Sequence, residues 1–444
     1  MKLKTFDKGI HPEYHKELTS SKKVEPAELP KRVIMLLQQH LGAPCEALVK
    51  KGDAVEEGQK IGDVKAFISA PVHASISGKV KEVDYWRHPA GLRVPAMVIE
   101  GDGARKEWGP VEGGVDIESL TPEEIRTRVR EAGIVGMGGA AFPTSVKLAA
   151  PKGKSIDTVI LNGCECEPYL TADHRIMLEE ADKVVWGLRA LMKATGAKRG
   201  YIGIEENKTD VIATLQGAIR GAANIAVMVL ETKYPQGAEK MLIKAALGRK
   251  VPPGKLPFDV GCVVNNVGTA VAVYEALNYR KPLIERVVTV SGNGVVEPKN
   301  LRVRIGTTFE EILSWCGGLK KDAGELEVLN GGPMMGIAQT SLDVPVVKGT
   351  SGITVLAARE IKPMRYEACI RCAACVEVCP MGLMPYRLGD YGNFTRIPEF
   401  KAWGGLSCIE CGCCSYICPS KRPLLQWIRV AKLRVRQESK AESA

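Results

Sequence analysis

The sequence predicts a multidomain α/β chain: a β-rich N-terminal unit, an α/β layer, a small β-grasp-like unit and a helical, cysteine-bound C-terminal unit. Three observations predict it. Between residues 155 and 280, short Val- and Ile-rich runs alternate with segments of helical periodicity, the pattern of a largely parallel sheet covered by helices. On either side, residues 30–112 and 284–356 are short apolar runs punctuated by turn signals, as β structure requires. Beyond 357, charged and apolar residues fall at helical spacing around two four-cysteine runs. The 444 residues suffice for about three domains of ordinary size.

Residues 1–29 read as a loose N-terminal tail without the apolar stretch of a signal peptide, so a cytoplasmic product is expected. In 30–112, Gly52-Asp53, Gly62-Asp63 and Ser77-Gly78 mark turns between strands. This text resembles the barrel-sandwich hybrid of lipoyl and biotinyl carrier domains, which present a modified lysine at a hairpin tip. Lys65 stands near that place, but the stretch from it to Ala70-Pro71 is shorter than in a lipoyl domain, and a structural role is expected.

Residues 113–282 form the α/β unit. Its first helix has clear ends: Thr121 as N-cap, Pro122 at the first position, Glu124 completing a capping box and Gly133 beyond the last turn. The runs "DTVILNG", "GYIGIE", "IAVMVLET" and "CVVNNV" read as buried strands; "MLEEADKVVWGLRALMKATG", "TDVIATLQGAIRGAA" and "GAEKMLIKAALG" read as helices. Residues 283–357 give the β-grasp-like unit and 358–426 the cysteine unit, followed by a basic tail over 427–444.

Net charge is +10, with basic residues spread out except in "KRPLLQWIRVAKLRVRQ". No nucleic-acid motif accompanies them, so that tail is expected to dock on a membrane subunit, anionic lipid or an acidic protein, or to be a solvated helix. No apolar run approaches the roughly 18 residues of a membrane span.

Nine of the fourteen cysteines lie in "CIRCAACVEVCP" and "CIECGCCSYICP", eight of them at the positions of the shared pattern C-x2-C-x2-C-x3-C-P. Zinc takes pairs of C-x2-C, not two such runs. A [4Fe–4S] cube takes three thiolates from one tight loop and a fourth from elsewhere; in two-cluster ferredoxins the last cysteine of each run serves the other cube. That pattern assigns Cys369, Cys372, Cys375 and Cys418 to one cluster and Cys408, Cys411, Cys414 and Cys379 to the other, with Cys413 a bystander.

A second feature is "GIVGMGGAAFPTSVKL", residues 133–148, where Gly136, Gly138 and Gly139 let backbone approach a ligand and a helix should follow at Thr144. By spacing alone it is neither a Walker loop nor a Rossmann fingerprint. "LNGCECEP", "YIGIEEN" and "VVNNVGT" fall at expected C-terminal strand ends, where α/β sheets bind ligands.

Together these stretches resemble the flavin- and NADH-binding subunit of respiratory complex I, with its GRGGAGFPTGLK, NADExEP and VVNNVET segments. With the carrier-like N-terminal domain and the doubled cysteine runs, the resemblance narrows to the RnfC family, from the Rnf complexes, which are ion-pumping ferredoxin:NAD+ oxidoreductases. It covers about residues 30–425.

The resemblance implies a 113–282 domain binding FMN and NAD(H), and two [4Fe–4S] clusters. Gly136, Gly138, Gly139, Ala140 and Lys147 would surround the FMN phosphate and neighbouring nucleotide, with Phe142 stacking on a ring. Asn162, Glu165 and Glu167 would line the flavin and nicotinamide, the two glutamates shaping the pocket by charge. Glu205 and Glu206 would face the same cleft, and Asn265, Asn266 and Thr269 would hold the ribityl-phosphate end. On their own, the two asparagines could instead cap a helix starting near Thr269 and the two glutamates a solvated strand end.

Cys164 and Cys166 depart from the family pattern, and "LAAPKG" lacks its aromatics after the lysine. The implied partners are membrane-integral and iron–sulfur subunits and ferredoxin, and the implied place is the cytoplasmic face of the membrane. Rival readings are a flavin and iron–sulfur cobalamin reductase of a microcompartment, a non-catalytic electron-conducting scaffold, and a carrier modified at Lys65.

Overall fold

The computed structural model describes residues 3–112, 114–151, 153–361 and 365–441. The expected boundary at 113 and the last tail residues, 442–444, lie outside them.

The N-terminal β unit closes two small sheets on one core. Strands Arg32–Leu36, Arg93–Gly101, Gly78–Arg87 and Ala54–Val55 form one sheet; Glu46–Ala47, Lys60–Asp63 and Val72–His73 form the other. Val33, Met35, Ile61 and Met97 fill the space between, and their cluster continues through Ile125 and Val129 into Leu161, Leu188 and Ile202 of the next unit. Lys65 is exposed in the loop that joins Lys60–Asp63 to Val72–His73.

The α/β unit is a four-stranded, fully parallel sheet in the order Ile225–Leu230, Arg199–Glu205, Thr158–Asn162, Cys262–Asn266. Helix Pro122–Glu131 carries the expected capping box of Thr121 and Glu124, and Gly133 follows it at φ +66°. The single helix expected over 177–196 is two, Ala172–Glu179 and Ala181–Thr195, because Glu180 leaves helical backbone at φ −130°. A third sheet is six-stranded and mixed, ordered Val24–Pro26, Lys299–Arg304, Glu285–Ser291, Gly352–Ala357, Leu326–Asn330, Ile337–Ala338.

Two expectations are corrected. The described part of 1–29 is not loose. Val24–Pro26 is an edge strand pairing in parallel with Lys299–Arg304, Ile10 bridges Tyr234, and Phe6 is 2% exposed. Apolar anchors are too widely spaced there to show a period. Nor is the basic C-terminal segment a detached tail: helix Leu424–Ala441 buries Leu424, Leu425, Ile428, Ala431 and Val435, packing with Leu388, Ile397 and Phe400. Its apolar face belongs to the cysteine unit, while its basic residues lie around that stripe.

Candidate functional site

Parallel pairing brings the predicted polar strand ends to one edge. Asn162 is in register with both Gly203 and Asn266. The glycine loop lies over this edge. Met137 N–H donates to Thr269 Oγ1 at 3.0 Å, the Thr269 hydroxyl donates to Val135 O at 3.3 Å, and Gly136 N–H donates to Phe142 O at 2.8 Å. Gly138 sits at φ +77°, and a β-carbon there would fall 2.9 Å from Asn266 Nδ2, so only glycine brings the loop this close. Gly138, Gly139 and Ala140 are exposed, and Phe142 is half-buried. The helix after the loop is one short turn, Thr144–Leu148, and Lys147 pairs with Glu239 at 2.8 Å.

Asn265 is 2% exposed, and neither of its amide atoms has a hydrogen-bond partner among the described residues. Such a buried orphan is costly unless a ligand completes it. Asn266 does cap a helix, as its residue type allows: its Oδ1 accepts from Gly268 N–H at 2.8 Å, and the helix begins at Val267 rather than at Thr269. Its Nδ2 donates to Asp173 Oδ2 at 2.6 Å. Asp173 is pushed up to about 7, first by burial and then by the nearby Glu165 charge. Asn162 donates to Gly237 O at 2.7 Å. The orphaned Asn265 beside the glycine cradle is a donor set that fits a flavin nucleotide.

The acidic residues divide. Glu165, at φ +46°, accepts from the Asp173 and His174 N–H groups and so caps helix Ala172–Glu179. Glu167 accepts from Met334 and Met335 N–H at 3.1 and 2.8 Å, and burial pushes it up to about 7. Lys16 of the N-terminal segment straps this stretch, its Nζ donating to the carbonyls of Glu165, Glu167 and Leu170 at 2.7, 3.0 and 2.5 Å. Glu205 is not a free cleft group: it is fully buried against Lys208 at 3.0 Å, and Lys208 also donates to Cys164 O at 2.6 Å. Glu206 is exposed and accepts weakly from Thr232 N–H at 3.4 Å. Cys164 and Cys166 are buried, and burial pushes both thiols upward, Cys166 to about 12. A thiol so held is a poor nucleophile.

The cysteine runs cross over. Cys369, Cys372, Cys375 and Cys418 surround one cavity; Cys379, Cys408, Cys411 and Cys414 surround a second. Among the described residues no three His, Cys, Asp or Glu side chains converge as they would on a single ion. The eight thiols instead ring two spaces, an arrangement that suits cubes. Cys413 lines the second cavity beside Cys411. That cavity abuts the strand-end site: Cys411 and Cys413 share an apolar cluster with Cys166, Tyr234, Met334 and Ile10, and the Tyr234 hydroxyl donates to Cys411 O at 2.7 Å.

Sequence reasoning missed Lys16, Asp173, Lys208 and Tyr234. Each acts across a sequence separation or from inside a helix, and no local pattern marks it.

Comparisons with known proteins agree with this arrangement. Family models match residues 4–104 to the RnfC barrel sandwich hybrid domain and 129–275 to the Nuo51 FMN-binding domain. They match 287–338 to the SLBB domain and 368–422 to the 4Fe-4S dicluster domain. Fold and site thus define a flavin and iron–sulfur oxidoreductase subunit. The chain is 47% identical, over 100% of its length and 96% of the relative's, to the C-type subunit of a proton-translocating ferredoxin:NAD(+) oxidoreductase complex of Clostridium ljungdahlii. It is 46% identical, over 96% of both chains, to the Na(+)-translocating counterpart of Acetobacterium woodii. The corresponding subunit of an ion-translocating oxidoreductase complex of Rhodobacter capsulatus is 44% identical over 86% of this chain and 73% of its own. The chain belongs to this family, the RnfC family. Among solved structures, an NAD+-reducing [NiFe]-hydrogenase matches at 21% identity with a TM-score of 0.49, over 64% of this chain and 55% of that one.

Proposed function

We propose that this chain is the NAD(H)- and FMN-binding electron-transfer subunit of an ion-translocating ferredoxin:NAD+ oxidoreductase. One observation carries the reading: the strand-end site adjoins a cysteine-ringed cavity, since Asn162 donates to Gly237 O, Gly237 N–H donates to Cys166 Sγ, and Cys166 packs with Tyr234, Met334, Cys411 and Cys413. When bound, FMN exchanges hydride equivalents for the single electrons that [4Fe–4S] clusters carry.

The chain's own residues bind and orient. Gly136, Gly138, Gly139 and Ala140 offer close backbone approach, Asn265 offers a side-chain amide, half-buried Phe142 offers a ring face, and Asn162, bound to Gly237 O and Cys164 N–H, shapes the strand end. Glu165 and Glu167 are positioning groups, since both carboxylates are held by backbone N–H donors. Lys147, Glu205 and Glu206 lie further out in function: the first two are engaged in ion pairs and the third is exposed. Thr269 holds the loop itself. The four cysteines around each cavity would hold one cluster.

No helix among the described residues is long and apolar enough to cross a membrane, so ion movement falls to other subunits. We place the chain at the cytoplasmic membrane face, with membrane-integral and iron–sulfur subunits and ferredoxin as partners. The test is an anaerobic NADH titration of the full chain loaded with FMN, iron and sulfide. Bleaching at flavin and then at cluster wavelengths is expected. FMN binding without any reduction by NADH would remove the nicotinamide site from the reading; no FMN binding would remove the flavin.

A further inference from the structure

Three arginines share the middle of the six-stranded sheet. Arg302 and Arg304, on strand Lys299–Arg304, each pair with carboxylates: Arg302 with Glu180 and Glu285, Arg304 with Glu57 and Glu285. Arg286, on the adjacent strand Glu285–Ser291, is 5% exposed, yet no carboxylate among the described residues lies within ion-pairing distance of it. Its Nε donates to Thr350 O at 3.2 Å, and its Nη1 rests on Met137 Sδ of the glycine loop.

An unpaired buried cation is expensive. Burial accordingly pushes Arg286 down to about 10, and the acid that counters it, Asp173, is itself held near neutrality. A thioether is a weak acceptor on a flexible side chain, so Met137 does not compensate the charge.

The surroundings of Arg286 are those of an anion site. It faces the start of helix Val267–Asn278: a β-carbon on Gly268 would lie 3.5 Å from its Nη1. That end of the helix carries positive partial charge. Asn265, with both amide atoms unpartnered, lies just before it, and Met137 N–H is tied to Thr269 in the same turn. Two features thus want a negative, hydrogen-bond-accepting group at one junction, an unpaired guanidinium and a helix N-terminus, and the strand that leads into that helix carries the orphaned amide of Asn265.

We propose that Arg286, contributed by the six-stranded sheet rather than by the α/β unit, is the cation that receives the phosphate of FMN, displacing the Met137 thioether. The inference rests on the flavin reading above. It makes the third sheet part of the flavin site and makes the site selective for the phosphorylated flavin.

The test compares FMN with riboflavin, which lacks the phosphate, by quenching of flavin fluorescence in the full-length chain. R286Q should weaken FMN by about tenfold to a hundredfold, the range for a lost charge-assisted hydrogen bond. Riboflavin affinity should stay within about twofold, and R286K should recover part of the FMN preference while changing the geometry. M137L, which keeps the charge and removes the thioether, should retain the full preference. It serves with R286K if R286Q fails to fold. Equal loss of both flavins in R286Q and R286K, or an unchanged FMN-to-riboflavin ratio, would overturn the role of Arg286 while leaving the flavin site standing. Wild-type chain that binds neither flavin would overturn both.

Discussion

The run Cys369–Cys379 and the run Cys408–Cys418 share a spacing, yet the cavities they build have different walls. The second cavity is lined by Met381, Leu383, Leu388, Leu425 and Ile428, and Cys379, Cys411 and Cys414 are buried. It touches the strand-end site through Cys166, Tyr234 and Met334. The first is lined by Arg371, Arg387, Arg396 and Arg422 with Tyr386 and Tyr391; Cys372 is exposed, as are Ile370 and Phe394 on its rim. Spacing therefore fixes what is bound, while the wall fixes what the bound group can reach. The inner cavity adjoins the strand-end site, and the outer one opens to the surface.

The largest expected effect comes from cutting the two sides separately. C411S should lose about half of the cluster iron and stop NADH from bleaching the cluster that remains. C372S should lose similar iron but leave that bleaching intact. Iron content and anaerobic spectra measure both, and equal blockage by the two variants would break the inner-and-outer distinction. Next, the outer cluster should titrate at the higher potential, because cations and solvent favour its reduced, more negative form. R422Q should lower the outer value by on the order of tens of mV and leave the inner one unchanged in a redox titration.

A smaller effect belongs to Glu167, which binds the Met334 backbone beside the inner cavity. Its folded value of about 7 exceeds the ordinary 4.5, so the folded state holds the extra proton between those values. Stability from this group is full below about 4.5 and is lost as pH rises through 7. E167Q should flatten that decline in thermal unfolding of the apo chain between pH 5 and 8, leaving the parallel contribution of Asp173. The smallest effect is C413A: cluster iron and spectra should match wild type, although the residue is 1% exposed beside Cys411.

The local features were legible. Capping of Pro122–Glu131, the individual strands, the glycine loop and the three-cysteine core of each set arise from residues close in sequence, where spacing maps directly onto geometry; the crossing fourth cysteine of each set was legible only through the repeated pattern. What could not be read was which polar groups were already engaged. Glu205 looks identical to a cleft acid until Lys208 is seen folded beneath it. Asn265 and Asn266 are neighbours with the same side chain, yet one is satisfied by its own helix and the other by nothing among the described residues. Segment 1–29 carries its few anchors singly, so its order depends on partners supplied by distant residues. The basic helix at the other end hid an apolar stripe behind its charge.

The N-terminal strap also sets an order of events in time. Lys16 is made early by the ribosome, but its three carbonyl partners come 149 to 154 residues later. Lys22 waits 276 residues for Pro298, and Lys8 waits 368 for Val376. Contacts this long pay their loop-closure entropy last. This segment is therefore expected to settle late, closing over the Glu165–Leu170 stretch once the α/β unit, the third sheet and the inner cysteine run already stand. A bulky extension at the N-terminus would delay that closing step rather than the folding of any one domain.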